Sequence, residues 1–153
     1  MTIIELKNRQ DVANDHKLSK LHAQFGELLN ELKKRELPEQ VILTINACVE
    51  QINSSSLSEK ELKKLIKQQQ ASILKLVQKE LNLVPKNYYQ TLGMVLGMSG
   101  FGIPIGVAFG LSMGNMGLLG LGLPIGLGIG LAIGSGLDKK ALNEGRQLNV
   151  EMK

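Results

Sequence analysis

From Asn87 to Leu137 the chain runs 51 residues without an Asp, Glu, Lys, Arg or His. Folded chains clothe their surfaces in charged and polar groups, so an uncharged stretch of this length has to be hidden, in lipid or in an assembly. A hydrocarbon core of about 30 Å takes roughly 20 helical residues to cross. The run therefore suffices for two crossings and a turn. Its least apolar point is Ser112-Met-Gly-Asn-Met-Gly117, which sets the expected spans over Tyr88 to Leu111 and Leu118 to Leu137. Tyr88 and Tyr89 suit an interfacial aromatic belt at the start of the first span. Lys79 and Lys86 precede the pair, Lys139, Lys140 and Arg146 follow it, and the intervening turn is uncharged, so the positive-inside rule expects both termini in the cytoplasm.

The uncharged run also repeats itself with a period of 20: Gly102-Ile-Pro-Ile-Gly106-Val-Ala-Phe-Gly110-Leu-Ser-Met-Gly114 aligns with Gly122-Leu-Pro-Ile-Gly126-Leu-Gly-Ile-Gly130-Leu-Ala-Ile-Gly134. Glycine at every fourth position lines one face of a helix and lets a neighbour approach until backbones touch. Gly93 and Gly97 extend that face toward the start of the first span. In water each such glycine costs about 1 kcal/mol relative to alanine, which again argues for burial. Pro104 and Pro124 stand at matching positions and remove a backbone donor, predicting a kink in each span, with the carbonyls of Gly100 and Gly120 left for neighbours. A period of four is also a multiple of two, and from Phe101 to Ile133 large odd positions alternate with small even ones. A β-hairpin donating two strands to an oligomeric barrel is the alternative this leaves open. Mid-strand proline and the glycine load count against it.

Residues 1 to 84 are of another kind, with 13 Lys or Arg against 11 Asp or Glu. Leu18, Leu21, Phe25, Leu28 and Leu32 step by three and four, predicting a first helix over roughly Val12 to Glu36. Pro38 suits the first turn of a second helix with Val41, Ile45, Cys48 and Ile52 on one face, ending at Asn53-Ser-Ser-Ser. Ser58 and Glu61 form a capping box for a third, whose apolar positions are Leu62, Leu65, Ile66, Ile73, Leu76, Val77 and Leu81 and which Val84-Pro85 should close. The expected class is all-α: a cytoplasmic helical oligomerisation or sensing domain over 1–84, a double-spanning hairpin over 85–137, and a charged cytoplasmic tail over 138–153.

Chemistry-bearing residues are sparse. Lys60, Lys63, Lys64 and Lys67 offer a surface for lipid headgroups or an acidic partner, or simply a solvated helix face. Cys48, the single cysteine, excludes an internal disulfide framework and reads as a core thiol. His16 and His22 are six apart, too far in phase for a shared metal face, and are expected at the surface. Asn53-Ser-Ser matches a glycosylation tripeptide, but the first residues hold no basic region followed by an apolar stretch, so export is not expected. No nucleophile and base, metal cluster or phosphate loop can be assembled, so neither catalysis nor a cofactor is expected. Scattered lysines, three Phe, two Tyr and no Trp offer little to nucleic acid.

The double Gly-x-Pro-Ile-Gly unit, the fourfold glycine spacing and the exit sequence Asp138-Lys-Lys-Ala-Leu-Asn-Glu-Gly-Arg-Gln-Leu148 together resemble bacterial glycine-zipper membrane proteins over about Gly93 to Leu148. That resemblance implies a bacterial two-span membrane segment that self-associates through its glycine faces, and the expected location is the inner membrane. The expected function is a homo-oligomeric pore or leak, as in a toxin or phage-defence effector, with Ser112, Asn115 and Ser135 as candidate pore-lining groups and a possible protein partner for residues 1–84. The alternatives are a membrane anchor for a cytoplasmic interaction module, and a soluble assembly that buries the glycine segment between subunits.

Overall fold

The computed structural model describes residues 2–7 and 15–152. The chain divides into two compact units, Met1–Pro85 with Leu148–Lys153, and Lys86–Gln147. The expected start of the first helix at Val12 lies outside the described residues.

The first unit is built on α1 (His16–Lys33), α2 (Glu39–Ser54) and α3 (Glu59–Leu81). Asp15 starts α1 by accepting the backbone N–H groups of Lys17 at 2.7 Å and Leu18 at 3.0 Å, satisfying two donors that a helix start leaves orphaned. Pro38 precedes α2 as its cap rather than lying inside it. At α3 the Glu61 carboxylate accepts from both the N–H and the hydroxyl of Ser58. The leucine seam of α1 is buried with Val41, Ile45, Cys48 and Ile52 of α2 and Leu62, Ile66, Ile73 and Val77 of α3.

Three details depart from the sequence reading. α3 ends at Leu81 because Asn82 takes the left-handed conformation (φ 54°), and Val84-Pro85 passes instead into a strand. Gln69 and Gln70 are buried where Leu65, Leu76 and Leu81 are only partly so. Their amides donate to Gln51 Oε1 and Met152 Sδ, which offsets part of the cost of hiding them. His22 is buried rather than at the surface: Leu18, His22, Phe25 and Leu29 share a second edge of the apolar face, widening it beyond the seam.

The chain end also departs from a plain charged tail. Strand β1 (Val84–Lys86) pairs with β2 (Gln147–Glu151), and Leu148 and Val150 are buried in the core. Alternation over so few residues is a weak sequence signal beside charged neighbours.

The N-terminal segment lies extended against α2. Asn46 donates to the Thr2 carbonyl at 3.1 Å and accepts from the Ile4 N–H at 2.9 Å; Asn53 does the same for the Glu5 carbonyl at 3.0 Å and the Lys7 N–H at 2.9 Å. The spacing is matched, since seven helical residues rise about 10.5 Å and three extended residues about 10 Å. Ile3 is buried behind this pair of clamps.

The second unit is helical, so the strand alternative is not what this segment adopts. α4 (Tyr88–Gly97), a π-helical turn (Met98–Gly102) and α5 (Ile103–Ser112) run on as one stretch of 25 residues, with mean hydropathy 1.8 over an 18-residue window of it. After a turn through Gly114 (φ +63°), a 3-10 turn (Met116–Leu118) and α6 (Leu119–Asn143) make a second stretch of 28 residues, with mean hydropathy 2.0 over an 18-residue window of it. Both are long and apolar enough to cross a membrane. The helix does not stop at Leu137 but carries Asp138, Lys139 and Lys140 with it.

Candidate membrane segment and its polar end

In the second unit the two apolar stretches run antiparallel and meet through glycines. A Cβ built on Gly97 would lie 2.7 Å from the Gly130 Cα, and one on Gly126 2.6 Å from the Gly102 Cα. One on Gly122 would lie 2.6 Å from the Gly106 Cα, and one on Gly134 2.7 Å from the Gln90 Cα. The obstructing atoms are backbone, so no rotamer relieves them. Gly93 meets Gly130 and Gly134 in the same way, and Gly106 also meets Leu119. Gly110 sits against the Met116 side chain, and Gly114 is in the turn with open space around it.

From Gly97 to Gly102 the facing glycines are five apart instead of four. The π-helical turn absorbs this step: the Ile103 N–H reaches back to the Met98 carbonyl, five residues away, and the added residue returns Gly102 to the facing side. A wide turn just before Pro104 is also a recognised accommodation for an imino residue in a continuing helix. Pro104 falls in the first turn of α5, and Pro124 lies inside α6.

A second set of small residues points away from the partner helix. Gly120, Pro124, Gly128, Ala132 and Gly136 on α6, and Gly100, Pro104, Ala108 and Ser112 on the other stretch, are all exposed. Added methyls at Gly100, Gly120, Gly128 and Gly136 would meet nothing within 4 Å. These positions are two residues from the facing glycines, roughly 200° around the helix. Between the two strips stand large apolar side chains such as Val95 (62% exposed), Leu111 (70%) and Leu121 (56%). A contiguous apolar surface of this kind is not what a water-exposed hairpin carries.

The hairpin ends in a polar lock. Asn87 lies at φ 60° and gives α4 no side-chain cap. Asp138, buried on α6, supplies it from the other helix: its carboxylate oxygens accept the Tyr89 N–H at 3.1 Å and the Gln90 N–H at 2.8 Å. A carboxylate at a helix N-terminus gains from both the hydrogen bonds and the dipole. Beside it Gln90 Nε2 donates to Ser135 Oγ at 3.2 Å. Asp138 and Gln90 escaped the sequence reading because the cap and the capped helix are some fifty residues apart; the available sign was that the first charge after the apolar run is acidic.

Among the candidate pore-lining residues, Ser112 is exposed at the end of α5, Asn115 caps the 3-10 turn by accepting the Gly117 N–H at 2.9 Å, and Ser135 is engaged with Gln90. In the first unit, Lys63 is ion-paired with Asp15, while Lys60, Lys64 and Lys67 are exposed. The pair, with the Leu18 N–H second, holds the Asp15 carboxyl down at about 2. Cys48 is buried, which pushes its thiol up and away from reactivity. Comparison of the chain with protein-family models, curated proteins and solved structures finds no match.

Proposed function

We propose that this chain is a self-assembling membrane protein whose apolar hairpin inserts into the bacterial inner membrane with both ends cytoplasmic, and whose copies pack into a pore or leak. Such a leak would dissipate ion gradients, the action of a toxin or phage-defence effector. The observation that carries the reading is the second strip of small residues. The glycines between the two helices are consumed inside one hairpin, yet Gly120, Gly128 and Gly136 remain open on the outside with no partner. Lipid gains nothing from a glycine-lined groove, whereas another helix gains close dispersion contact there. Each stretch, at about 37 Å or more of helix, exceeds the hydrocarbon core, leaving Asp138 and its lysine neighbours at a headgroup level. A pore built from such hairpins has no ring of fixed charge along its length, so weak ion selectivity follows.

The test is dye and ion release from vesicles carrying the full chain, alongside crosslinking between copies. Replacing Gly120, Gly128 and Gly136 together with Leu should keep insertion and abolish both crosslinks and leak. Wild-type chain that inserts and never permeabilises vesicles would replace this reading with that of a membrane anchor. Recovery of wild-type chain as a soluble particle without detergent would replace it with a soluble assembly.

A further inference from the structure

In the first unit the opening turns of α1 and α3 lie side by side and enclose a groove of about 490 Å³. Its walls are lysines: Lys17 and Lys20 from α1, Lys64 and Lys67 from α3. Lys63 stands at the same place but is committed to Asp15. Buried Leu21 contributes an apolar patch to the lining. Among the described residues Asp15 is the one carboxylate ion-paired with a lysine of this groove, and Lys17, Lys20, Lys64 and Lys67 line it without an ion pair.

At α1 the partial positive charge of the helix start is met by the Asp15 carboxylate at the N-cap, and Lys17 follows in the first turn with Lys20 close behind. At α3 the first turn holds two acids, Glu59 and Glu61, of which Glu61 is hydrogen-bonded to Ser58. The positive potential of this concavity therefore comes from its lysines, and in a concave site field lines are focused and an anion with several charged oxygens can meet several donors at once.

We propose that this groove binds a phosphate-bearing polyanion, presented either by an anionic lipid headgroup or by a soluble phosphate compound. The site belongs to the first unit alone and stands whether the apolar hairpin forms a leak or an anchor.

The full chain in nanodiscs of pure phosphatidylcholine provides the reference, and amine acetylation read by mass spectrometry reports each lysine. Addition of tripolyphosphate tests the soluble source; nanodiscs containing phosphatidylglycerol test the lipid source. Protection of Lys17, Lys20, Lys64 and Lys67 by about threefold or more in either arm, without protection of Lys34 or Lys75, supports the site and names its source. In that arm, substitution Lys20→Gln, Lys64→Gln and Lys67→Gln together should weaken binding by about tenfold or more, while the three Lys→Arg replacements retain it. These side chains are exposed, so the fold does not depend on them. Protection in neither arm, equal protection of Lys34 and Lys75, or undiminished binding by the glutamine variant overturns the proposal.

Discussion

Gly126→Ala is the smallest change that tests whether backbone contact holds the hairpin together. The added methyl would lie 2.6 Å from the Gly102 Cα and closer still to the Gly102 nitrogen and the Gly97 carbonyl oxygen. A comfortable carbon contact needs about 3.5 Å, so the helices have to part by roughly 1 Å along the line of centres. Separation on that scale forfeits a quarter to a half of each dispersion contact at the seam, and forced overpacking typically costs about 1–3 kcal/mol. Alanine returns up to about 1 kcal/mol of helix propensity, so the net loss is on the order of 1–2 kcal/mol. Gly128→Ala provides the internal control: two residues on in the same helix, its methyl meets nothing within 4 Å of its own chain, so for a hairpin kept monomeric in detergent only the propensity gain remains. Thermal unfolding of the full chain in one detergent should rank Gly128→Ala at or above wild type and Gly126→Ala below it. Equal stability of the two variants, or the reverse order, would refute backbone contact as the source of hairpin stability.

Asp138→Ala removes the acceptor for two part-buried N–H groups and should cost about 1–3 kcal/mol in the same melt, with faster amide exchange at Tyr89 and Gln90; Asp138→Asn, which keeps one oxygen, should cost less. An unchanged exchange rate at both amides would show the cap to be idle. Asn46→Ala and Asn53→Ala each delete two hydrogen bonds to the N-terminal segment, worth about 0.5–1.5 kcal/mol apiece, and should strip exchange protection from Ile4 and Lys7 respectively, leaving the other clamp's amide less affected. Asp15 should titrate at about 2 rather than the ordinary 3.8. Its ion pair thus contributes stability that is complete above 3.8 and fades as pH falls toward 2, and Lys63→Met should return the carboxyl carbon's NMR titration toward the ordinary value. A midpoint indifferent to Lys63 would contradict the pairing.

Much of this architecture is legible in the sequence because the signals are local. The leucine seam of α1, the Ser58–Glu61 capping box and the limits of the uncharged run each need only a few neighbouring residues, and the helices follow them. What stayed hidden depends on partners distant in the chain. Asp138 is marked only as an acid that ends the apolar run, not as the cap of a helix that starts at Tyr88, and the Asn46 and Asn53 clamps grip a segment more than forty residues away. Gln69 and Gln70 lie outside the apolar positions of α3, and the amide partners that let them be buried, Gln51 and Met152, are 18 and 82 residues away. His22 was misplaced because five leucine-type positions already accounted for a helix face.

The alternation of small and large residues that suggested strands has a helical explanation. In a strand every even position from Gly100 to Gly136 would share one side. In a helix, consecutive even positions fall roughly 200° apart and sort into two opposite strips. One strip, through Gly102, Gly106, Gly122, Gly126, Gly130 and Gly134, is spent on the partner helix within the hairpin; the other, through Gly120, Pro124, Gly128, Ala132 and Gly136, faces outward. A hairpin that served only to hold a module at a membrane needs the first strip and gains nothing from the second, where Leu or Ile would meet lipid with more contact and better helix propensity. The outward strip therefore weighs toward hairpins that pack on one another. It also separates two sets of substitutions: bulk on the inner strip should open the hairpin itself, while bulk on the outer strip should leave each hairpin closed and strip away only its neighbours.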